Sequence, residues 1–435
     1  MKYTQNEKIM QVTEETLIVG IDIGKRKHHA RVFDWRGIEL SKKIAFPADQ
    51  KGFTALYGWM MEKAKIAGKT KIIVGLEPTG HYWFTLAEYL ARKEIKVVQV
   101  NPYHVKNTKE LDDNTPSKND NKDPKTIAML VKDGRYLIPY FPKGKYAELR
   151  KGFEIRENLL KSKNRIKNRF KRWTDIYFPE FFKAFCDWEG KTAQITLEKF
   201  PVPSQILEYT SEEILQKWRE NGVKRGVGIR KAEYLRVMAE QSIGSHEGLE
   251  MAVWEMHCIL EEYRKIEKML VGVEEKLEKM ALSMPGAQKA LGIKGIGIMT
   301  VAGFIAEVGD VSRFNHPKQI QKLAGLNLRE NSSGEHKGQT TISKRGRKRL
   351  RGLLFKSILP VLAKNDEFKE LHRYYTTRPE NPLKKKQSMI ALCGKLIRIL
   401  YALLTKKEDY RPEKMLGDIK RPAHLSGRKL MERVS

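Results

Sequence analysis

Cysteine is scarce in this chain: Cys186, Cys258 and Cys393 are the only three in 435 residues, and they stand far apart. That spacing excludes a disulfide framework and a zinc knuckle, and it predicts a reducing, cytoplasmic setting. Long apolar runs are missing too. The best, Met389–Leu404, is broken by Lys395 and Arg398, so it falls short of the ~20 apolar residues a membrane span needs. The N-terminus offers no signal-peptide core. Acidic residues are in deficit, with 53 Asp and Glu against 83 Lys and Arg and a formal net charge of +30. An excess of that size predicts a polyanionic partner bound with steep salt dependence, and no membrane partner is expected.

What is present is organised in segments. Residues 15–140 read as an α/β domain. Strands are expected at 17–23, 28–34, 38–45, 71–76 and 95–100, and helices at 49–66 and 81–92. A short helix is expected after Pro102, and a last one carries Ile127, Ala128, Leu130 and Val131 before stopping at Asp133-Gly134. Three meandering strands followed by strand–helix alternation is the ribonuclease H-like order. A helical, basic region is expected over 144–283, a mostly α unit over 284–405, and a basic tail over 406–435.

Carboxylates carry the first chemical signal. Asp22 ends the apolar run from Leu17, Glu77 ends the run from Ile72, and Asp120 and Asp123 stand three apart. Acids at strand ends meet at a sheet edge, and an i, i+3 pair shares one side of a helical turn. Such a cluster repels itself unless a cation binds, and Mg²⁺ prefers hard oxygen ligands and leaves positions open for phosphate oxygens and water. Phosphoryl transfer on nucleic acid is the reaction this suits. With Pro124 in the first turn, Asp123 is expected to cap the helix as well. Asp112 and Asp113 share the loop, but neighbours in extended chain point apart. His28, His29 and His81 are expected at the surface or against substrate, because a hard oxygen site needs no imidazole.

Basic residues mark candidate nucleic-acid contacts. Lys163, Arg165, Lys167, Arg169 and Arg172 crowd one helical stretch with Phe170 and Trp173 beside them, a pattern that fits either polyanion binding or a solvated helix face. Gly292-Ile-Lys294-Gly295-Ile-Gly297 ahead of an apolar helix looks like a helix-hairpin-helix, whose backbone N–H groups can meet phosphate. Lys344, Arg345, Arg347 and Arg349 follow further on. Between these clusters, Leu249, Ala252, Met256, Ile259, Tyr263, Ile266, Leu270, Val273, Leu277 and Met280 form a heptad seam over 249–280. That seam suits a coiled-coil dimer, or packing against the helix near 145–185.

A loop, Gly325-Leu326 through Ser332-Ser333-Gly334, is rich in turn formers and by chemistry alone is an ordinary turn more often than a nucleophile. Its position matters because the chain resembles the insertion-sequence transposases of the family numbered one hundred and ten, the bridge-RNA-guided DEDD recombinases. The resemblance runs from about residue 17 to 400. It is carried by Gly20-Ile-Asp22-Ile-Gly24-Lys25, Leu76-Glu77-Pro-Thr-Gly80, Lys118-Asn-Asp120-Asn-Lys-Asp123, Gly325-Leu326 through Ser333-Gly334, and Ile342-Ser-Lys-Arg345-Gly346. It implies a RuvC-like domain holding Mg²⁺ on Asp22, Glu77, Asp120 and Asp123, and a C-terminal serine nucleophile at Ser333, with Ser332 one register away. Pro124 stands where the family often has Ala.

On this reading the chain is a site-specific DNA recombinase acting on donor and target DNA with a structured guide RNA, as a homodimer or a dimer of dimers. Acids and serine lie some two hundred residues apart, so their domains would have to meet within one chain or across a dimer. A junction-resolving endonuclease that uses water, and a non-catalytic RNA- or DNA-binding protein, are the alternatives.

Overall fold

Strand β1 (Thr16–Asp22) is buried along six of its seven residues, as expected of a β-rich apolar run with strands on both sides. In the computed structural model it is central to a six-stranded sheet of order β3-β2-β1-β4-β5-β6. The structure describes residues 4–419 apart from 79, 113–121, 224, 330–331, 334–335, 338–339, 407–408 and 418, and only the backbone of 109–112, 332–333 and 336–337. The chain divides into two compact units, one of residues 1–141 with 313–319, the other of 142–312 with 320–435.

In the first unit, α1 (Gln5–Ile9) precedes β1, and β2 (Lys27–Phe33) and β3 (Glu39–Pro47) complete an antiparallel meander. Helix α2 (Gln50–Ile66) starts where Asp49 accepts a bond from the Gly52 N–H, a side-chain cap of the preferred kind. Strand β4 (Lys71–Leu76) then runs parallel to β1, and β5 (Lys96–Val100) parallel to β4, with α3 (Trp83–Arg92) between them. The expected α/β meander and alternation are therefore present. After α4 (Pro102–Asp112) and α5 (Asp123–Lys132) comes β6 (Tyr136–Leu137), an antiparallel addition that two residues give no sequence pattern to announce.

The sheet's two faces are sorted by residue parity. Leu17, Val19, Ile21, Val74 and Leu76 pack under α2 and α3. Ile18, Ile73 and Val98 pack under α5 with Ile127, Ala128 and Val131. Along β1 and β4 that second face is therefore 18, 20, 22 and 73, 75, 77.

The second unit is built on two long helices, α6 (Lys145–Tyr177) and, after α7 (Phe181–Ala184), α8 (Lys191–Lys199), α9 (Pro203–Leu207), α10 (Ser211–Glu220) and α11 (Ile229–Glu240), α12 (Leu249–Leu282). They lie antiparallel: Lys145 bonds Ser283, Arg156 Glu274, Lys163 Glu267, Arg169 Glu262 and Trp173 the Ala252 carbonyl. The heptad seam of α12 thus packs within its own chain, which corrects its use as a dimer seam. The reason is complementarity: α6 supplies Leu149, Phe153, Ile166, Phe170 and Trp173 as the apolar partner stripe and cations opposite the glutamates of α12. Gly152 helps them approach, since a Cβ there would lie 2.9 Å from Leu277 Cδ2. The short helices α7–α11 pack around Phe178, Phe181, Phe200 and Trp218 with the ends of α6 and α12.

The rest of this unit comprises α13 (Ala287–Leu291), α14 (Ile298–Val308), α15 (Pro317–Ala324) from residue 320 on, the short strands β7 (Leu328–Arg329), β8 (Ser332–Ser333), β9 (His336–Lys337) and β10 (Thr341–Ile342), then α16 (Lys348–Lys364), α17 (Asp366–Thr377), α18 (Lys385–Lys406) and α19 (Glu413–Leu416). By length and composition α18 is apolar enough to cross a membrane despite Lys395 and Arg398, but half of that stretch is buried in this unit. Leu392, Leu396 and Leu400 are fully buried, the pattern of a core helix. Within the tail, Met415 is buried and Asp409 pairs with Lys289, while 420–435 lie outside the described residues.

Candidate active site

Gly20 pairs with Gly75 and Ile21 with Leu76 across the parallel strands β1 and β4, so Asp22 and Glu77 occupy the next positions. Both acids are half-buried and, by parity, lie on the face covered by α5. The glycines two residues earlier explain how the helix comes so close. A Cβ on Gly20 would lie 1.8 Å from the Pro124 carbonyl oxygen, and one on Gly75 would lie 2.4 Å from Val131 Cγ2. A repeated Gly-x-acid therefore does two jobs: the glycine seats α5, and the carboxylate projects from the same face just past it. Reading each run only as an apolar strand ending in an acid missed the glycines, because their role depends on what lies over them.

Because α5 crosses β1 at Pro124, its first residue, Asp123, belongs to the same end of the sheet. The expectation that Asp123 caps α5 is corrected. Lys122 is the N-cap and forms no side-chain cap, so Asp123 is already inside the first turn. The residue is 9 % exposed and stands at the positive end of the helix. Asp120 lies outside the described residues, as do the side chains of Asp112 and Asp113. Among the described residues no group of three or more acids, histidines or cysteines is drawn together tightly enough to hold an ion. The donors that are placed, all carboxylates on one face, are chemically those of a hard divalent cation such as Mg²⁺.

Of the histidines, His29 is the register partner of Asp22 across β1–β2 and is half-buried. Directly opposed antiparallel residues share a face, so it stands beside the acid. His28 corrects the surface expectation. It is fully buried against Phe46 and Phe53, with neither ring nitrogen hydrogen-bonded. Burial, then the neighbouring His29, holds its pKa below the usual value. His81 is exposed beside Tyr82.

In the second unit the candidate serines lie on a ribbon. Leu328 pairs with Ile342 and Arg329 with Thr341, and beyond them Ser332 opposes Lys337 and Ser333 opposes His336. The segment Gly292–Gly297, expected as a helix-hairpin-helix, forms the turn between α13 and α14, with Lys294 and Gly297 exposed. Gly295 has an internal reason to be glycine: its φ is +92°, and a Cβ would lie 2.5 Å from the Pro360 carbonyl oxygen.

The basic residues divide by partner. Lys163 pairs with Glu189 and Glu267, Lys167 with Glu189, and Arg169 with Glu262. Phe170 and Trp173 are core residues, 1 % and 2 % exposed, which corrects their reading as aromatics flanking a nucleic-acid surface. Arg165 and Arg172 face solvent. Burial raises Glu189, but hydrogen bonds from Lys167, Tyr263 and Lys163 outweigh it and hold it down to about 2. Arg347 bonds the Glu307 carbonyl at 2.6 Å, and Arg349 reaches Glu154 at 3.5 Å. Lys344 and Arg345 are exposed.

Two family models match this chain. One, described as Transposase and named for the DEDD type of IS110, covers residues 19–179 and so spans the acids. The other, the Transposase IS116/IS110/IS902 family, covers residues 287–373 and spans the serine ribbon. The chain belongs to this transposase family. A relative of that kind, "Transposase for insertion sequence element IS1111A" of Coxiella burnetii, is 28 % identical over 200 residues, 44 % of this chain and 53 % of its own length. The "Pilin gene-inverting protein" of Moraxella bovis is 31 % identical over 120 residues, 27 % of this chain and 36 % of its own. The "Insertion element IS116 uncharacterized 44.8 kDa protein" of Streptomyces clavuligerus is 22 % identical over 407 residues, 93 % and 98 % of the two chains. The chain thus spans about half the length of the first of these transposase relatives.

Proposed function

We propose that this chain is a DNA recombinase of insertion-sequence transposition, with a RuvC-like first unit and a serine nucleophile in the second. The observation that carries the reading is the paired Gly-x-acid at the ends of β1 and β4, with Asp123 at the start of the helix seated on the glycines. The meander followed by parallel strands is the order of a ribonuclease H-like domain.

Asp22, Glu77 and Asp123, with Asp120, are the residues that would hold Mg²⁺. When bound there, the ion supplies charge stabilisation at the scissile phosphate. Ser333 attacks phosphorus: the Oγ–P bond forms, the P–O3′ bond breaks, and the DNA is left as a serine adduct with a free 3′-hydroxyl for strand exchange. The printed name of the Moraxella relative, a gene-inverting protein, supports recombination over simple hydrolysis.

Donor and target DNA are the substrates, and a structured guide RNA is the partner the family resemblance implies. The net charge of +30 suits both. Recombination between two duplexes calls for two or four chains, and since α6 occupies the α12 seam, assembly uses another surface. The reading is tested by incubating protein, guide RNA and labelled DNA with Mg²⁺ and denaturing the mixture. A protein–DNA adduct is expected, and a protein-free 5′-phosphate product would replace the recombinase with an endonuclease that uses water.

A further inference from the structure

The first unit has a concave feature at the end of its sheet away from the acids. Ile18 pairs with Phe33 and Asp22 with His29, so the turn opening at Asp34 stands five residues beyond them, about 17 Å at ~3.4 Å per residue. There α1, this turn and the C-terminal end of α5 enclose a groove of about 670 Å³ lined by Ile9, Trp35, Arg36, Lys132, Asp133 and Arg135. That volume is within the ~300–1,000 Å³ of ligand sites. The walls are tied together: Gln5 of α1 donates to the Asp133 carbonyl at 3.1 Å. A Cβ on Gly37, whose φ is +96°, would lie 3.0 Å from Met129 Sδ of α5. Buried Asp34 fixes the turn itself, accepting from the N–H groups of Arg36 and Ile38 at 2.9 and 2.8 Å and from Arg36 Nε at 3.0 Å.

Held this way, Trp35 stays 38 % exposed, with the Arg36 guanidinium 5.9 Å from its ring centroid. The three cations are unequal. Arg36 is committed to Asp34, and Lys132 stands 3.7 Å from Asp133. Arg135 is exposed and, among the described residues, makes no ion pair. An aromatic face beside an uncommitted guanidinium suits a planar base that carries a phosphate. Every base has a face to stack, and the guanidinium fork matches phosphate oxygens. Bases inside a duplex are stacked on one another, so the occupant has to be unpaired. We propose that this groove holds one unpaired nucleotide of a single strand, its base against Trp35 and its phosphate on Arg135 and Lys132. Neither the carboxylates nor the serine ribbon takes part, so the site is independent of the recombination chemistry above.

The experiment uses the full chain and two tetranucleotides, one RNA and one DNA, each carrying a single 5-bromouracil. Irradiation followed by trypsin digestion maps where the base is held. The expected result is an adduct on the tryptic peptide 32–36, which contains Trp35. An adduct there with RNA alone, DNA alone or both supports the proposal and assigns the strand. No adduct on that peptide with either strand overturns it. Affinity is measured alongside by fluorescence anisotropy of the same tetranucleotides. Trp35→Ala should weaken binding by about 5–150-fold, the usual worth of one stacked base, and Trp35→Phe, which keeps a ring, should recover most of it. Arg135→Ala, a change at an exposed side chain that leaves the fold intact, should lower the slope of log affinity against log salt by about 1. Unaltered affinity in Trp35→Ala, or an unaltered salt slope in Arg135→Ala, overturns the proposal as well.

Discussion

Gly20 and Gly75 are register partners on adjacent parallel strands, and each stands two residues before a strand-end acid on the face beneath α5. The approach of helix to sheet and the placement of the carboxylates are thus one arrangement. Gly20→Ala would put a Cβ 1.8 Å from the Pro124 carbonyl oxygen, which only a shift of α5 can relieve. The variant is expected to lose at least the ~1–3 kcal/mol typical of overpacking, and DNA cleavage with it. Gly58→Ala is the control of opposite sign. Gly58 lies inside α2 with open space around it, so alanine there should stabilise by about 0.4–1 kcal/mol. Urea unfolding of both variants, with cleavage assayed in parallel, checks the pair.

Mg²⁺ should raise the thermal unfolding midpoint, because binding to the folded state alone adds about 2.7 kcal/mol at a hundred times the dissociation constant. Asp22→Asn and Glu77→Gln should abolish that shift and suppress cleavage while DNA binding persists. An unchanged Mg²⁺ shift in both variants would remove these acids from the metal site.

Leu277, fully buried and packed beside Gly152 of α6, tests where the heptad seam is used. Leu277→Ala should cost about 2–5 kcal/mol, with an unfolding midpoint that does not depend on protein concentration. A midpoint that climbs with concentration would return the seam to an interface between chains.

Glu189 is held down to about 2 from an ordinary 4.5, against the pull of burial, by Lys167, Tyr263 and Lys163. Its folded-state pKa is depressed, so its contribution is complete above about pH 4.5 and is lost as pH falls through about 2. Glu189→Gln should be less stable than the unaltered chain above that window, and the difference should shrink as pH drops across it. Fluorescence of Trp188, stacked on Phe170 in the same cluster, reports the unfolding.

Much of the first unit was legible in the sequence because its signals are local. The stretch 49–66 reads as a helix, and the apolar runs to Asp22 and Glu77 read as strands ending in acids. What was not legible depends on partners distant in sequence. Gly20 and Gly75 acquire meaning only when α5 lies on them. The α12 seam looks the same whether α6 or another chain fills it, and Phe170 and Trp173 resemble stacking aromatics until their burial is known. His28 sits next to His29, yet strand alternation sends one into the apolar core and sets the other beside Asp22. Opposition of Ser333 and His336 needed the ribbon's register.

The central claim is that a serine of the ribbon, rather than water, attacks the phosphate. Covalent capture of labelled DNA by Ser333→Ala, with guide RNA and Mg²⁺ present, tests it most directly. The account predicts no protein–DNA adduct with DNA binding intact, and an adduct formed at the unaltered level would contradict it.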